Sequence, residues 1–64
     1  MELLLYGLNE AGEPVLAERL SADQRPHIRD LAAARLTSHH AVEVWEGPTC
    51  ILRLRGGPTA PGQA

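Results

Sequence analysis

Ala41-Val42-Glu43-Val44-Trp45-Glu46-Gly47-Pro48-Thr49-Cys50-Ile51-Leu52-Arg53-Leu54-Arg55 is the stretch that decides the fold of this 64-residue chain. Residues 41–45 (AVEVW) and 49–54 (TCILRL) alternate apolar and polar side chains. That period of two marks half-buried strands, and the Glu46-Gly47-Pro48 break between them marks a hairpin. Parity then sets the register. A loop of Gly47-Pro48 alone would pair Val42 with Arg53 and Glu43 with Leu52. A three-residue loop instead aligns Val44 with Cys50 and Val42 with Leu52. It leaves Glu43, Trp45, Ile51 and Arg53 on the opposite face, and is preferred because the faces stay chemically uniform.

Working outward, residues 2–8 (ELLLYGL) form a continuous apolar run, as expected of a strand buried on both faces. Asn9-Glu10-Ala11-Gly12 has the chemistry of a tight turn with Gly12 in the left-handed region. Pro14 suits a strand start, where its missing N–H costs least, and residues 15–20 (VLAERL) complete a first hairpin. A helix follows. Ser21 and Asp23 are both good N-caps, and Gln24 is placed for a capping box with Ser21. Asp23 is preferred, because it puts Pro26 in the first turn, where an N–H has no partner anyway. The helix is expected to run to about Thr37 with Ile28, Leu31, Ala32 and Leu36 as its buried stripe, and with Arg25, Arg29 and Asp30 in water.

The fold class is therefore α+β, in the order β-β-α-β-β, with a four-stranded sheet and one helix packed on one face. Residues 1–55 form a single domain, and the GGPTAPGQA stretch over 56–64 reads as a flexible tail. One helix covers one face. Leu3, Leu5, Val42, Val44, Cys50 and Leu52 are assigned beneath it, with Val15 and Ala17 beside Leu3 and Leu5. The opposite, open face then carries Leu4, Tyr6, Leu16, Trp45 and Ile51. A contiguous apolar patch of this kind usually marks a binding surface, and Tyr and Trp are enriched at the energetic centres of interfaces. The bland alternative is that the stems of Glu18, Arg53 and Arg55 lie across these residues and cover them.

Composition narrows the function classes. So short a domain buries only about 60% of the surface its unfolded chain exposes, and such domains usually gain stability from disulfides, a metal or an oligomer. Cys50 is the only cysteine, so no intrachain disulfide can form, and a lone thiol suits a reducing compartment. Met1-Glu2-Leu3-Leu4-Leu5 is too short for a signal sequence and carries an acid where a base belongs. No run approaches the roughly 20 apolar residues that span a bilayer. A cytoplasmic location without membrane contact is expected. The net charge is −2, and all six cations are arginine, which with the Ala, Gly and Pro content fits the codon bias of a GC-rich genome. That balance disfavours nucleic-acid binding, which needs clustered positive charge.

Chemistry-bearing residues are few. His27 sits on the helix, and His39 and His40 are adjacent, so their rings point apart. With Cys50 they show none of the paired spacings of zinc sites, and no metal or cofactor is expected. Ser38 beside His39 lacks the third member a nucleophilic site needs. No enzyme activity and no small-molecule substrate are expected of so small a domain. Arg53 and Arg55 alternate on the last strand, and Glu43 is placed to hold Arg53 in a cross-strand ion pair.

Two segments resemble known proteins. Ala41-Val42-Glu43-Val44-Trp45-Glu46-Gly47, followed by a short arginine-bearing strand, resembles the A-[VI]-E-[LV]-W-x-G ending of short uncharacterised bacterial proteins. The similarity spans most of residues 3–55. It implies the β-β-α-β-β order and no activity, and this chain departs from it at Pro48-Thr49-Cys50, where a more basic turn is usual. Leu52-Arg53-Leu54-Arg55-Gly56-Gly57 is identical to the conjugation tail of ubiquitin. That resemblance implies a modifier whose carboxyl end is Gly57, with Gly56 and Gly57 as the slim terminus that threads into an activating enzyme and residues 58–64 as a removable extension. The alternative is coincidence, since six residues of common type in an arginine- and glycine-rich chain can match by chance.

The expectation is a non-enzymatic interaction module that forms a homodimer, or binds a protein partner, through the open sheet face or an exposed strand edge. A ubiquitin-like modifier is the alternative, and a nucleic-acid accessory protein the second alternative.

Overall fold

The computed structural model describes residues 2–56; apart from Gly56, the tail expected over 56–64 lies outside the described residues. The elements are β1 (Leu3–Leu8), β2 (Pro14–Leu20), a 3-10 helix (Ala22–His27), α1 (Ile28–Leu36), β3 (Ala41–Glu46) and β4 (Thr49–Arg55). The fold is α+β in the order β-β-α-β-β. Its one sheet has the order β2-β1-β3-β4, with every neighbouring pair antiparallel. β2 and β3 therefore run in the same direction with β1 between them, and the helix is the crossover that parallel strands require.

The core lies between the sheet and α1. Leu3, Leu5, Leu20, Ala32, Val42 and Val44 are buried, and Leu16, Ile28, Leu31, Leu36, Ile51, Leu52 and Leu54 pack around them. All four residues of the expected helical stripe are among them. Two carboxylates on the helix side of the sheet are each met by an arginine from the helical segment. Arg35 grips Glu18 in a two-pronged contact, Nε to Oε1 at 2.9 Å and Nη2 to Oε2 at 3.1 Å, and Arg25 pairs with Glu46. The helical layer is thus held to the sheet at two strands, to the edge strand β2 by one arginine and to the interior strand β3 by the other.

The helix starts differently from expectation. Ser21, not Asp23, is the N-cap, in extended backbone conformation. Gln24 Oε1 accepts the Ser21 N–H at 2.8 Å, one half of a capping box. Pro26 is accommodated because the first turns wind as a 3-10 helix, whose i→i+3 bonding and longer rise per residue take the ring away from the carbonyl four residues back. The α-helix proper begins only at Ile28.

Both hairpins differ from expectation by a bulge. In the first, Gly12 is left-handed as expected (φ 81°), but the loop is five residues, 9–13. Asn9 closes it, its N–H donating to Glu13 O (3.0 Å) and its Oδ1 accepting the N–H groups of Ala11 and Glu13 (both 2.9 Å). Register passes from Gly7–Leu16 to Leu8–Pro14, which makes Val15 an extra residue. Leu16, Glu18 and Leu20 therefore share the helix side with Leu3 and Leu5, and Ala17 moves to the open side.

In the second hairpin the loop is Gly47-Pro48 alone, between the pair Glu46–Thr49, with Gly47 at φ 58°. Parity is restored by a bulge rather than by a third loop residue. Val44 pairs with Leu52 and Trp45 with Cys50, leaving Ile51 extra. A bulge lets two successive side chains fall on one side, so Ile51 joins Leu52 against the core. Cys50, expected in the core, sits opposite Trp45 on the open face.

No helix among the described residues is long and apolar enough to cross a membrane.

Candidate functional site

With α1 on one side, the other side of the sheet carries no second layer among the described residues. Three rows of side chains cross it in the order β2, β1, β3, β4. They are Arg19–Leu4–Trp45–Cys50, then Ala17–Tyr6–Glu43–Arg53, then Pro14–Leu8–Ala41–Arg55. Leu4, Tyr6, Leu8, Trp45 and Cys50 are half-buried by one another, and Ala41 is buried. They make one continuous apolar field over β1 and β3, with arginines at the flanks.

Hydrogen bonds fix the centre of this field. Glu43 Oε1 accepts the indole N–H of Trp45 at 3.0 Å, and its other oxygen holds Arg53 Nε at 3.0 Å. One carboxylate thus orients the indole and neutralises the arginine beside it, the cross-strand pair expected from the alternation. At the opposite corner Arg19 pairs with Glu2. A shallow depression of about 410 Å³ lies between the turn of the first hairpin and the indole, lined by Tyr6, Leu8, Gly12, Pro14, Glu43 and Trp45.

Of the five residues expected on this face, Leu4, Tyr6 and Trp45 lie there and are brought together. Leu16 and Ile51 do not, because each bulge shifts its strand by one residue and turns that side chain towards the helix. Leu8, Ala41, Pro14 and Cys50 occupy the face in their stead. Alternation already put Leu8 on the side of Leu4 and Tyr6; Cys50 carried no such signal, since its side depends on where the bulge falls.

The chemistry-bearing residues are dispersed. His27 is exposed at the junction of the 3-10 helix and α1. His39 Nδ1–H donates to Arg35 O at 2.8 Å, and its ring lies over Gly7. His40 is part-buried. No cluster of three His, Cys, Asp or Glu side chains able to hold a metal occurs among the described residues. The Cys50 thiol points back at Leu52 O, 3.5 Å away. Of the tail residues singled out in the sequence, Gly56 follows β4 with φ 125°, and Gly57 lies outside the described residues. No protein-family model, no curated protein and no solved structure matches this chain.

Proposed function

We propose that this protein is a non-enzymatic interaction module that associates with a second copy of itself through the open face of its sheet. The observation that carries the reading is the apolar field of Leu4, Tyr6, Leu8 and Trp45, over which no other element of the described residues packs. Burying it returns the hydrophobic free energy that so small a domain lacks. The charges beside the field favour a like partner. Glu43 and Arg53 neutralise one another, as do Glu2 and Arg19, so neither pair gives the face a net charge that would repel an identical one in every orientation. The face is also the better of the two routes. Both edge strands are blunted by bulges, β2 by Pro14 as well and β4 by its arginines, and these are the devices that discourage edge-to-edge pairing.

Light scattering across protein concentration tests this reading, and a mass that stays monomeric throughout rules it out. Leu4→Ser with Trp45→Ser is expected to weaken association at least thirtyfold, the scale of about 2 kcal/mol typical of interface centres, with the circular dichroism of the domain unchanged. Ile51→Ser is the contrast. It removes a side chain packed on the core, so its cost falls on folding instead.

A ubiquitin-like modifier ending at Gly57 is the second reading. It is favoured by the position of Gly56 directly after the edge strand β4, with Arg53 and Arg55 exposed on that strand. The intact mass of the protein from its native cells decides it: a carboxyl end at Gly57 supports the modifier, and an end at Ala64 removes it.

A further inference from the structure

Self-association through a face has a geometry, and the side chains of this face select one. Two sheets packed face to face are related by a two-fold axis lying in the plane between them. If that axis runs across the strands, midway along them, each strand lies over its own copy. Tyr6 then meets Tyr6, Glu43 meets Glu43 and Arg53 meets Arg53 in the middle row. Like charges brought together at the centre of an interface are strongly unfavourable.

If the axis runs along the strands, between β1 and β3, each row meets itself reversed: β1 lies over β3 of the second copy and β2 over β4. Leu4 now packs on Trp45 and Leu8 on Ala41, a large side chain over a small one. The Tyr6 hydroxyl is placed to donate to Glu43. Arg55, which makes no ion pair among the described residues, lies over Pro14, which directly follows the acidic turn with Glu10 and Glu13. Every such contact is made twice. The usual rotation of about 30° between aligned sheets shifts these positions least beside the axis, over β1 and β3, and most at the edge strands.

We propose that the association is a two-fold dimer with its axis along the strands between β1 and β3, closed at both ends by Arg55 against the acidic hairpin turn, residues 9–13, of the other copy. This rests on the reading of the open face as a self-association surface.

The native thiol provides the test, because Cys50 is the only one. In the proposed dimer Cys50 lies over Arg19 of the second copy; in the rejected one it lies over Arg55. Arg19→Cys should therefore give a covalent dimer under mild oxidation, and Arg55→Cys should not. Charge reversal supplies the second arm. Arg55→Glu should weaken association roughly tenfold, since two surface pairs become two repulsions. Glu10→Arg with Glu13→Arg should do likewise, and the three substitutions together should restore affinity to near the wild-type value. Arg29→Glu, on the exposed side of the helix, should change nothing. Cross-linking through Arg55→Cys instead, or reversals that never compensate while Leu4→Ser with Trp45→Ser still dissociates the dimer, overturns this geometry and leaves the face standing. A wild-type chain that is monomeric at every concentration overturns both.

Discussion

At the scale of the residue, Gly7 shows how a single absent side chain holds part of the fold. It lies in the middle of the row Leu16–Gly7–Val42–Leu54 on the helix side of the sheet. A Cβ built there would meet His39 Cδ2 at 2.7 Å and Cγ at 2.9 Å. The imidazole fills the space that glycine leaves and is pinned from above by the Arg35 carbonyl. Gly7→Ala is therefore expected to cost about 1–3 kcal/mol, the usual penalty of overpacking. In a His39→Ala background the same change should be neutral or favourable, because alanine loses less backbone entropy than glycine in a strand. Denaturant unfolding of the four proteins of this cycle checks the coupling, and additive effects would mean that the ring moves aside freely.

At the scale of the element, the helix is locked to β2 by one ion pair whose strength depends on pH. The hydrogen bonds from Arg35 hold the Glu18 carboxyl below its ordinary range, and burial opposes them only in part. Glu18 in turn raises Arg35. A carboxylate depressed in the folded state adds stability above its unfolded pKa, and that contribution disappears as pH falls through the folded value. Glu18→Gln should lower the melting temperature at neutral pH, and the gap from wild type should close in acid, below the usual carboxylate range. A gap that persists at low pH would mean that the glutamate acts by packing rather than by charge. The partner of Glu18 was not legible in the sequence, which offered Glu18 as a cover for the open face; the bulge at Val15 is what turns it towards Arg35 instead.

At the scale of the whole molecule, the sheet is asymmetric: one face is packed beneath the helix and, among the described residues, the other carries no layer. If the second copy covers the open face, folding and association are linked, and the melting temperature must rise with protein concentration. A midpoint constant over a hundredfold concentration range would contradict the proposed function directly. The double substitution at Leu4 and Trp45 should remove the concentration dependence and lower the midpoint towards that of the isolated monomer.

The order of elements, the turn at Gly12, the helical stripe and the Glu43–Arg53 pair were readable in the chain itself, because each follows from local periodicity or local turn chemistry. The sides on which Leu16, Cys50 and Ile51 lie were not. Side-chain period is two, so one extra residue inverts everything beyond it, and both hairpins contain that residue. Whether parity is repaired in the loop or in the strand depends on which choice packs more apolar surface beneath the helix. Loop and bulge satisfy the alternation pattern equally, and only the assembled core distinguishes them.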